Sequence, residues 1–218
     1  VLLIDLIILT FSYIITIYID SQRELREERE MKHRSEYRYA RLKQQITPHF
    51  LFNSLSILDY LVQEHQTERA SAFIHKFAGI YRYMIKSEDE DVVPLRDELS
   101  FVNQYVDLLS IRFPAGLEVR MNIPEEMMGR YVLPCAVQLL IENATKHNAV
   151  NTENPLIIKV EAHGEHVCVS NNIVPKFGKV ESIGLGQKYL RQQYLDLSGK
   201  HISIEQTTNE FKVTLPLI

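Results

Sequence analysis

Two groups of residues have the types and spacing to do chemistry. The first is a single histidine, His49, set directly after Pro48 in the stretch TPHFLFN, residues 47–53. A neutral imidazole is a nucleophile, and an exposed histidine with a reference pKa near ~6.5 is mostly neutral at cytoplasmic pH. The second group lies in LLIENATKHN, residues 139–148, where Glu142, Asn143, Lys146 and His147 stand at i, i+1, i+4 and i+5 of a helical pattern. Glu142 then shares a face with Lys146, and Asn143 with His147. A carboxamide oxygen can ligate Mg²⁺ and a lysine can neutralise phosphate, so this surface could hold a metal nucleotide. The same Glu–Lys spacing is also routine support for a solvated helix. A weaker signal is SIGLGQKYL, residues 182–190, where Gly184 and Gly186 open a helix whose first N–H groups could cradle phosphate. An ordinary loop-to-helix turn reads the same way.

The helix that carries His49 has to keep it in solvent. Projected at 100° per residue, Ile46, Phe50, Leu51, Leu55, Ile57, Leu58, Leu61 and Val62 cover one continuous half. His49 falls on the other half with Gln45, Asn53, Ser56, Asp59 and Gln63, whereas a histidine satisfied in a core would sit within the apolar arc. Phe52 lies on the arc of His49 and is expected to be a docking contact. Inside a helix Pro48 costs roughly 3 kcal/mol, frees the Gln44 carbonyl and bends the axis, which would give access to the imidazole and a hinge.

A second helical pattern, residues 67–87, carries Ala72, Phe73, Phe77, Ile80, Tyr81, Met84 and Ile85 at helical spacing. It returns after QEHQTE to make a hairpin. Two helices are a poor core alone, so pairing of two copies into a four-helix bundle is expected. Residues 92–113 give a further helix that starts near Pro94, with Asp97 and Glu98 in its first turns, where carboxylates suit the helix dipole.

Beyond Gly116 the pattern changes. Residues 117–124 alternate as a strand, 133–150 are helical, 156–173 are two strands turning at His163-Gly164, 184–197 are helical, and 201–218 form a hairpin turning near Thr208-Asn209. The order β, α, ββ, α, ββ predicts a mixed sheet with helices on one face, an α+β sandwich of about 100 residues.

The first nineteen residues, VLLIDLIILTFSYIITIYI, carry one charge, Asp5, and are long enough for a ~30 Å hydrocarbon core, so a transmembrane helix is expected there. The opening Val in place of Met is the expected mark of a fragment. From Ser21 to Lys43 there are eight Lys/Arg against five Glu, which places the chain beyond the apolar run in the cytoplasm. Residues 20–45 mix charge signs at i,i+3 and i,i+4 without Gly or Pro, as a solvated helix or a loosely paired coiled coil would.

A net charge of -4 and a pI near 6.1 argue against direct nucleic-acid binding. Cys135 and Cys168 lie in apolar runs without a CxxC spacing and read as buried thiols in a reducing compartment. His33, His65, His75, His163, His166 and His201 show no metal-ligand spacing and read as solvated.

Combination and order add a further signal. PHFLFN, then RDELSFVNQYVDLLSIRF, then LPCAVQLLIENATKHN, then IGLGQKYLRQQY resembles the LytS/YehU-like class of bacterial sensor histidine kinases, from about Arg41 to the C-terminus. The resemblance implies a homodimeric phosphoacceptor region (46–113) and a GHKL/HATPase-type ATP-binding domain (114–218), which the transmembrane helix (1–19) and helical linker (20–45) read above would hold at a bacterial cytoplasmic membrane. It implies ATP and Mg²⁺ as cofactors and a response regulator as partner, often of LytTR type. Carried over, it makes His49 the phosphoacceptor and Glu142 a candidate to activate water or the histidine. Asn143 would ligate Mg²⁺, Lys146 and His147 would approach the phosphates, and Gly184 and Gly186 would belong to the glycine box. One departure stands out: where the class has an Asp followed by glycine to read the adenine amine, this chain has Asn171-Asn172-Ile173. A carboxamide can still accept that hydrogen bond, more weakly than a carboxylate. The lid after this strand, VPKFGKVES, is short and holds one glycine, Gly178. A second reading is a membrane-anchored scaffold with an inert site that acts by dimerisation and partner binding.

Overall fold

The computed structural model describes residues 48–87, 89–176 and 185–218, together with Ile15 and Gln22. The expected membrane helix, the linker, the Gln44 side of the Pro48 bend, Gly178 and Gly184 lie outside the described residues. Among the described residues no helix is long and apolar enough to cross a membrane.

Three helices come first: α1 (Pro48–Gln63), α2 (Thr67–Lys86) and α3 (Leu95–Arg112). The α1–α2 turn closes through His65, which takes a left-handed φ of 56°, while the Gln66 N–H reaches back to the Leu61 carbonyl at 2.9 Å. Leu61 of α1, Phe73, Ile80 and Met84 of α2, and Leu99, Phe101 and Tyr105 of α3 are buried together. Lys76 and Asp107 pair across α2 and α3 at the surface.

The apolar half projected for α1 is only partly covered. Phe50, Ile57 and Leu58 pack against the core, but Leu55 is 49% exposed and Val62 57%. The reason is geometric: among the described residues α1 packs mainly against α2 and α3. Phe52, Tyr60, Ile74 and Ile85 extend this exposed apolar surface over the hairpin.

A two-stranded ladder not expected from the sequence, β1 (Val93–Pro94) with β3 (Tyr131–Val132), sits at the start of α3. Strands of two residues are too short to show a period. Pro94 offers no side-chain cap, and the first amides of α3 bond to backbone instead: Leu95 N–H to the Arg130 carbonyl at 2.7 Å and Arg96 N–H to that of Met128 at 3.0 Å.

The main sheet runs β2 (Leu117–Asn122), β4 (Leu156–His163), β5 (His166–Asn172), β7 (Glu210–Pro216), β6 (Ser203–Gln206). β2 and β4 are parallel, from Leu117 opposite Leu156 to Asn122 opposite Glu161, and α4 (Ala136–His147) lies in the crossover such a pair requires. The other pairs are antiparallel, the β4–β5 turn using Gly164 at φ 58°. Alternation buries Leu156, Ile158, Val160 and Ala162 of β4, Val167 and Val169 of β5, and Val213 and Leu215 of β7. These meet Val137, Leu140, Ile141 and Ala144 of α4 and Leu190 and Tyr194 of α5 (Leu185–Ser198) in one apolar cluster shared with the helical hairpin. The fold is α+β with a mixed sheet, as predicted. Cys135 is buried as expected. Cys168 is only half-buried because it alternates onto the other face of β5, where its Sγ lies 3.4 Å from Thr214 Oγ1.

Two local devices fix α4. Glu98, expected as a carboxylate beside a helix dipole, is fully buried in α3. Its Oε2 accepts the Tyr83 O–H at 2.7 Å and the Cys135 N–H at 2.9 Å, and its Oε1 accepts the Val137 N–H at 3.0 Å. Cys135, at the N-cap of α4, has a left-handed φ of 59° and provides no side-chain cap, so Glu98 caps the helix from α3. Burial pushes its pKa up to about 7, against the pull of hydrogen bonds from Tyr83 and from the Cys135, Val137 and Gln138 backbone. At the other device, a Cβ on Gly186 would lie 3.2 Å from Leu139 Cδ1, so glycine lets α5 start hard against α4.

Two outcomes test these devices. The folded state holds the Glu98 proton that an unfolded carboxyl, ordinarily near 4.5, releases. That contribution is complete below about pH 4.5 and lost as pH rises through about 7. Urea titrations should therefore show Glu98→Gln gaining on wild type as pH rises from about 4.5 to about 8; a constant difference would contradict it. Gly186→Val should cost about 1–3 kcal/mol by overpacking, with partial recovery when Leu139→Ala is added; thermal unfolding reads both, and no recovery would mean that the Leu139 contact is not the cause.

Candidate functional site

The C-terminal half of α4, the segment leaving β5 and the start of α5 bring most of the sequence-predicted residues together. Asn148 does the stitching. Its Oδ1 accepts the Val174 N–H at 2.9 Å, its Nδ2 donates to the Ala144 carbonyl at 2.9 Å, and the Ala149 N–H bonds the Val174 carbonyl at 3.0 Å. Gly186 of α5 lies against Leu139, one turn before Asn143. Its observed task is close packing, which sets a helix N-terminus beside α4.

On α4, Asn143 is half-buried, and its Nδ2 is buried without a hydrogen-bond partner among the described residues. Buried amides are almost always satisfied. An orphaned carboxamide therefore fits a bound group that offers polar atoms, and its oxygen suits a hard cation. Lys146 is exposed on the next turn. The pKa of His147 is lowered, first by partial burial and then by the charges of Lys146 and Lys176. The ring is thus neutral at pH 7 and can exchange hydrogen bonds with a phosphate, while the positive charge comes from the lysines. Lys176, which sequence reasoning passed over as part of the lid, donates from Nζ to the Lys146 carbonyl at 3.2 Å, where a cation suits the end of α4.

Asn171, 5% exposed, donates from Nδ2 to the Asn172 carbonyl at 2.7 Å, which leaves its oxygen as the acceptor end. Asn172 is a brace: its Oδ1 accepts the Ile157 N–H at 2.7 Å and its Nδ2 donates to the Pro155 carbonyl at 3.0 Å.

Glu142 connects this face to the helical hairpin. Its Oε2 accepts from Gln138 Nε2 at 2.9 Å. Tyr105 of α3 neighbours both residues: burial pushes its hydroxyl pKa up, the Glu142 charge adds to this, and a hydrogen bond with Gln138 opposes it. The Tyr105 ring lies 5.4 Å from that of Phe50, which stacks at 6.0 Å on Phe77 of α2. Phe50, the residue after His49, therefore seats the PHFLFN turn against α3 close to Glu142. His49 is the second residue of α1. On the helix face one and two turns further on, Phe52 is 66% exposed, Ser56 is exposed and Asn53 is half-buried. Tyr105 and Glu98 escaped sequence reasoning because each looked like an ordinary helix residue. Asn148 lay inside the motif but carried no separate signal.

Residues 37–117 match the family model for histidine kinases. The chain is 29% identical over 157 residues to the sensor protein LytS of Enterococcus faecalis, covering 70% of this chain and 26% of that protein. It is 34% identical over 122 residues to the sensor protein LytS of Bacillus cereus, covering 56% and 20%. It is 28% identical over 172 residues to the sensor histidine kinase BtsS of Escherichia coli, covering 75% and 30%. The chain thus spans between a fifth and a third of the length of the curated relatives it matches. The cytoplasmic segment of histidine kinase QseC overlaps it with a TM-score of 0.42 at 17% identity, covering 69% of this chain and 95% of that one. With PHFLFN on the first described helix and ENATKH on α4, the chain is similar to the LytS sensor proteins, and its residues 37–117 match the histidine kinase family model.

Proposed function

We propose that this chain is the kinase part of a membrane-bound two-component sensor. Residues 114–218 act as a GHKL-type ATP-binding domain, and the γ-phosphoryl group of ATP passes to His49 in the 46–113 region and from there to a response regulator, of LytTR type. The observation that carries this reading is the chain of contacts from Phe50 through Tyr105 and Gln138 to Glu142, which links the histidine turn to the ENATKH helix.

Little covalent help is needed for phosphoryl transfer, so the residues act by positioning and charge. A neutral ring nitrogen of His49 attacks the γ-phosphorus. The N–P bond forms as the bond to the leaving ADP oxygen breaks, and Glu142 takes the proton from the other ring nitrogen. Asn143 would hold Mg²⁺, which when bound supplies neutralisation of the phosphate charge. Lys146 and Lys176 add positive charge, and His147 adds a neutral hydrogen bond. The start of α5, with Gly184 and Gly186, receives the phosphates, and the Asn171 oxygen accepts from the adenine amine. The exposed apolar surface of α1 and α2 supports a homodimeric four-helix bundle, and the apolar run at residues 1–19, followed by its basic stretch, supports a membrane anchor at a bacterial cytoplasmic membrane.

Incubation with radiolabelled ATP and Mg²⁺ should give an acid-labile, alkali-stable label that is lost in His49→Ala, while that variant still binds nucleotide. An inert scaffold would bind no nucleotide and take no label. Asn171→Asp should bind ATP about tenfold more tightly than wild type, as expected when a charge-assisted acceptor replaces a neutral one. Unchanged or weaker binding in a nucleotide titration would remove Asn171 from the adenine contact.

A further inference from the structure

Elements to which the kinase reading gives different tasks meet at one carboxylate. α2 is the hairpin partner of α1, which carries His49, and the two are tied by the Phe50–Phe77 stack. α4 carries Asn143, Lys146 and His147. Glu98 of α3 lies between them with no exposed surface and takes the Tyr83 O–H from α2 and the Cys135 and Val137 N–H groups from α4. The Tyr83 ring stacks on Phe101 of α3, centroids 4.3 Å apart and planes 13° apart, so the hydroxyl is held in register with α3. A groove of about 400 Å³ lined by Tyr83, Lys86, Ser87, Val93, Asp97 and Phe101 runs alongside, which gives the end of α2 room to shift without displacing the core.

We infer that the Tyr83–Glu98 hydrogen bond is the joint through which the setting of hairpin helix α2 fixes the first turn of α4, making both residues positioning residues for phosphoryl transfer to His49. This rests on the kinase reading above. When α2 shifts, Glu98 loses its O–H donor and keeps its N–H donors at the start of α4, and, with no exposed surface, it has no solvent partner at hand to replace the lost bond. The carboxylate then follows its remaining partners, and the start of α4 follows with it. α4 is a 12-residue helix, a lever of about 18 Å, so a small tilt at Cys135 moves the Asn143–His147 end. A misplacement of about 1 Å can cost ~10²-fold in rate. Nucleotide affinity, spread over several contacts, is far less sensitive.

The test uses Tyr83→Phe, which removes the hydroxyl and keeps the ring stack. The rate of His49 labelling at saturating MgATP should fall about tenfold or more, while MgATP affinity measured by calorimetry stays within about twofold, a rate loss without a binding loss. Hydrogen–deuterium exchange over residues 135–138 should speed up by about tenfold. Glu98→Gln, which keeps the shape and one acceptor oxygen, should also slow labelling, and the double variant should be no slower than the worse single one. A labelling rate in Tyr83→Phe within twofold of wild type, or a rate loss matched by an equal affinity loss, would overturn the inference. If the wild-type chain takes no label, the kinase reading has failed on its own terms and the exchange measurement decides the joint: unchanged exchange over 135–138 in Tyr83→Phe overturns it, and faster exchange sustains it.

Discussion

A carboxylate enclosed by protein on every side is expensive to desolvate and persists only where donors surround it. Glu98 is in that position, and none of its side-chain or backbone donors comes from its own helix. Tyr83 arrives from the hairpin, and Cys135 and Val137 arrive from the start of α4. The donors do not fully win: burial still pushes the group up to about 7. The packing of hairpin, α3 and sheet domain is consequently one decision rather than three, since removing any partner leaves a buried polar group unmatched, at about 1–3 kcal/mol each. By comparison the surface pairs Lys76–Asp107 and Arg96–Glu125, both substantially exposed, contribute about 0–1 kcal/mol apiece.

The candidate site inherits this arrangement. α4 is held at its start by Glu98, along its length by the close approach of Gly186 to Leu139, and at its end by Asn148 and Lys176. With the helix fixed at three places, Asn143 can keep a buried amide that is unmatched among the described residues, a feature tolerated at sites that bind something. The Phe50–Tyr105 contact then brings the histidine turn within the same framework.

Much of the architecture was legible in the sequence because periodicity is local. The helical spacing in residues 67–87, the alternation in LIIKVEAH and the glycine turn at Gly164 each announce an element, and α2, β4 and β5 match them closely. Long-range facts were not legible. Nothing local separates Glu98 from its neighbour Asp97, yet one is buried and the other exposed. Leu55 and Val62 satisfy the apolar pattern of α1 but stay about half exposed among the described residues. The motif residues on α4 could be found because a single helix carries them. Tyr105 and Lys176 could not, since their contacts join segments roughly thirty residues apart that only folding brings together. The charge state of His147 was equally hidden, because it depends on a lysine from the lid.

The central claim is that His49 receives the phosphoryl group. After incubation with MgATP, alkaline peptide mapping by mass spectrometry should find the added phosphoryl on the peptide containing Pro48, His49 and Phe50, and on the imidazole itself. A phosphoryl group located on another residue, or none on a chain shown to bind nucleotide, would contradict the account.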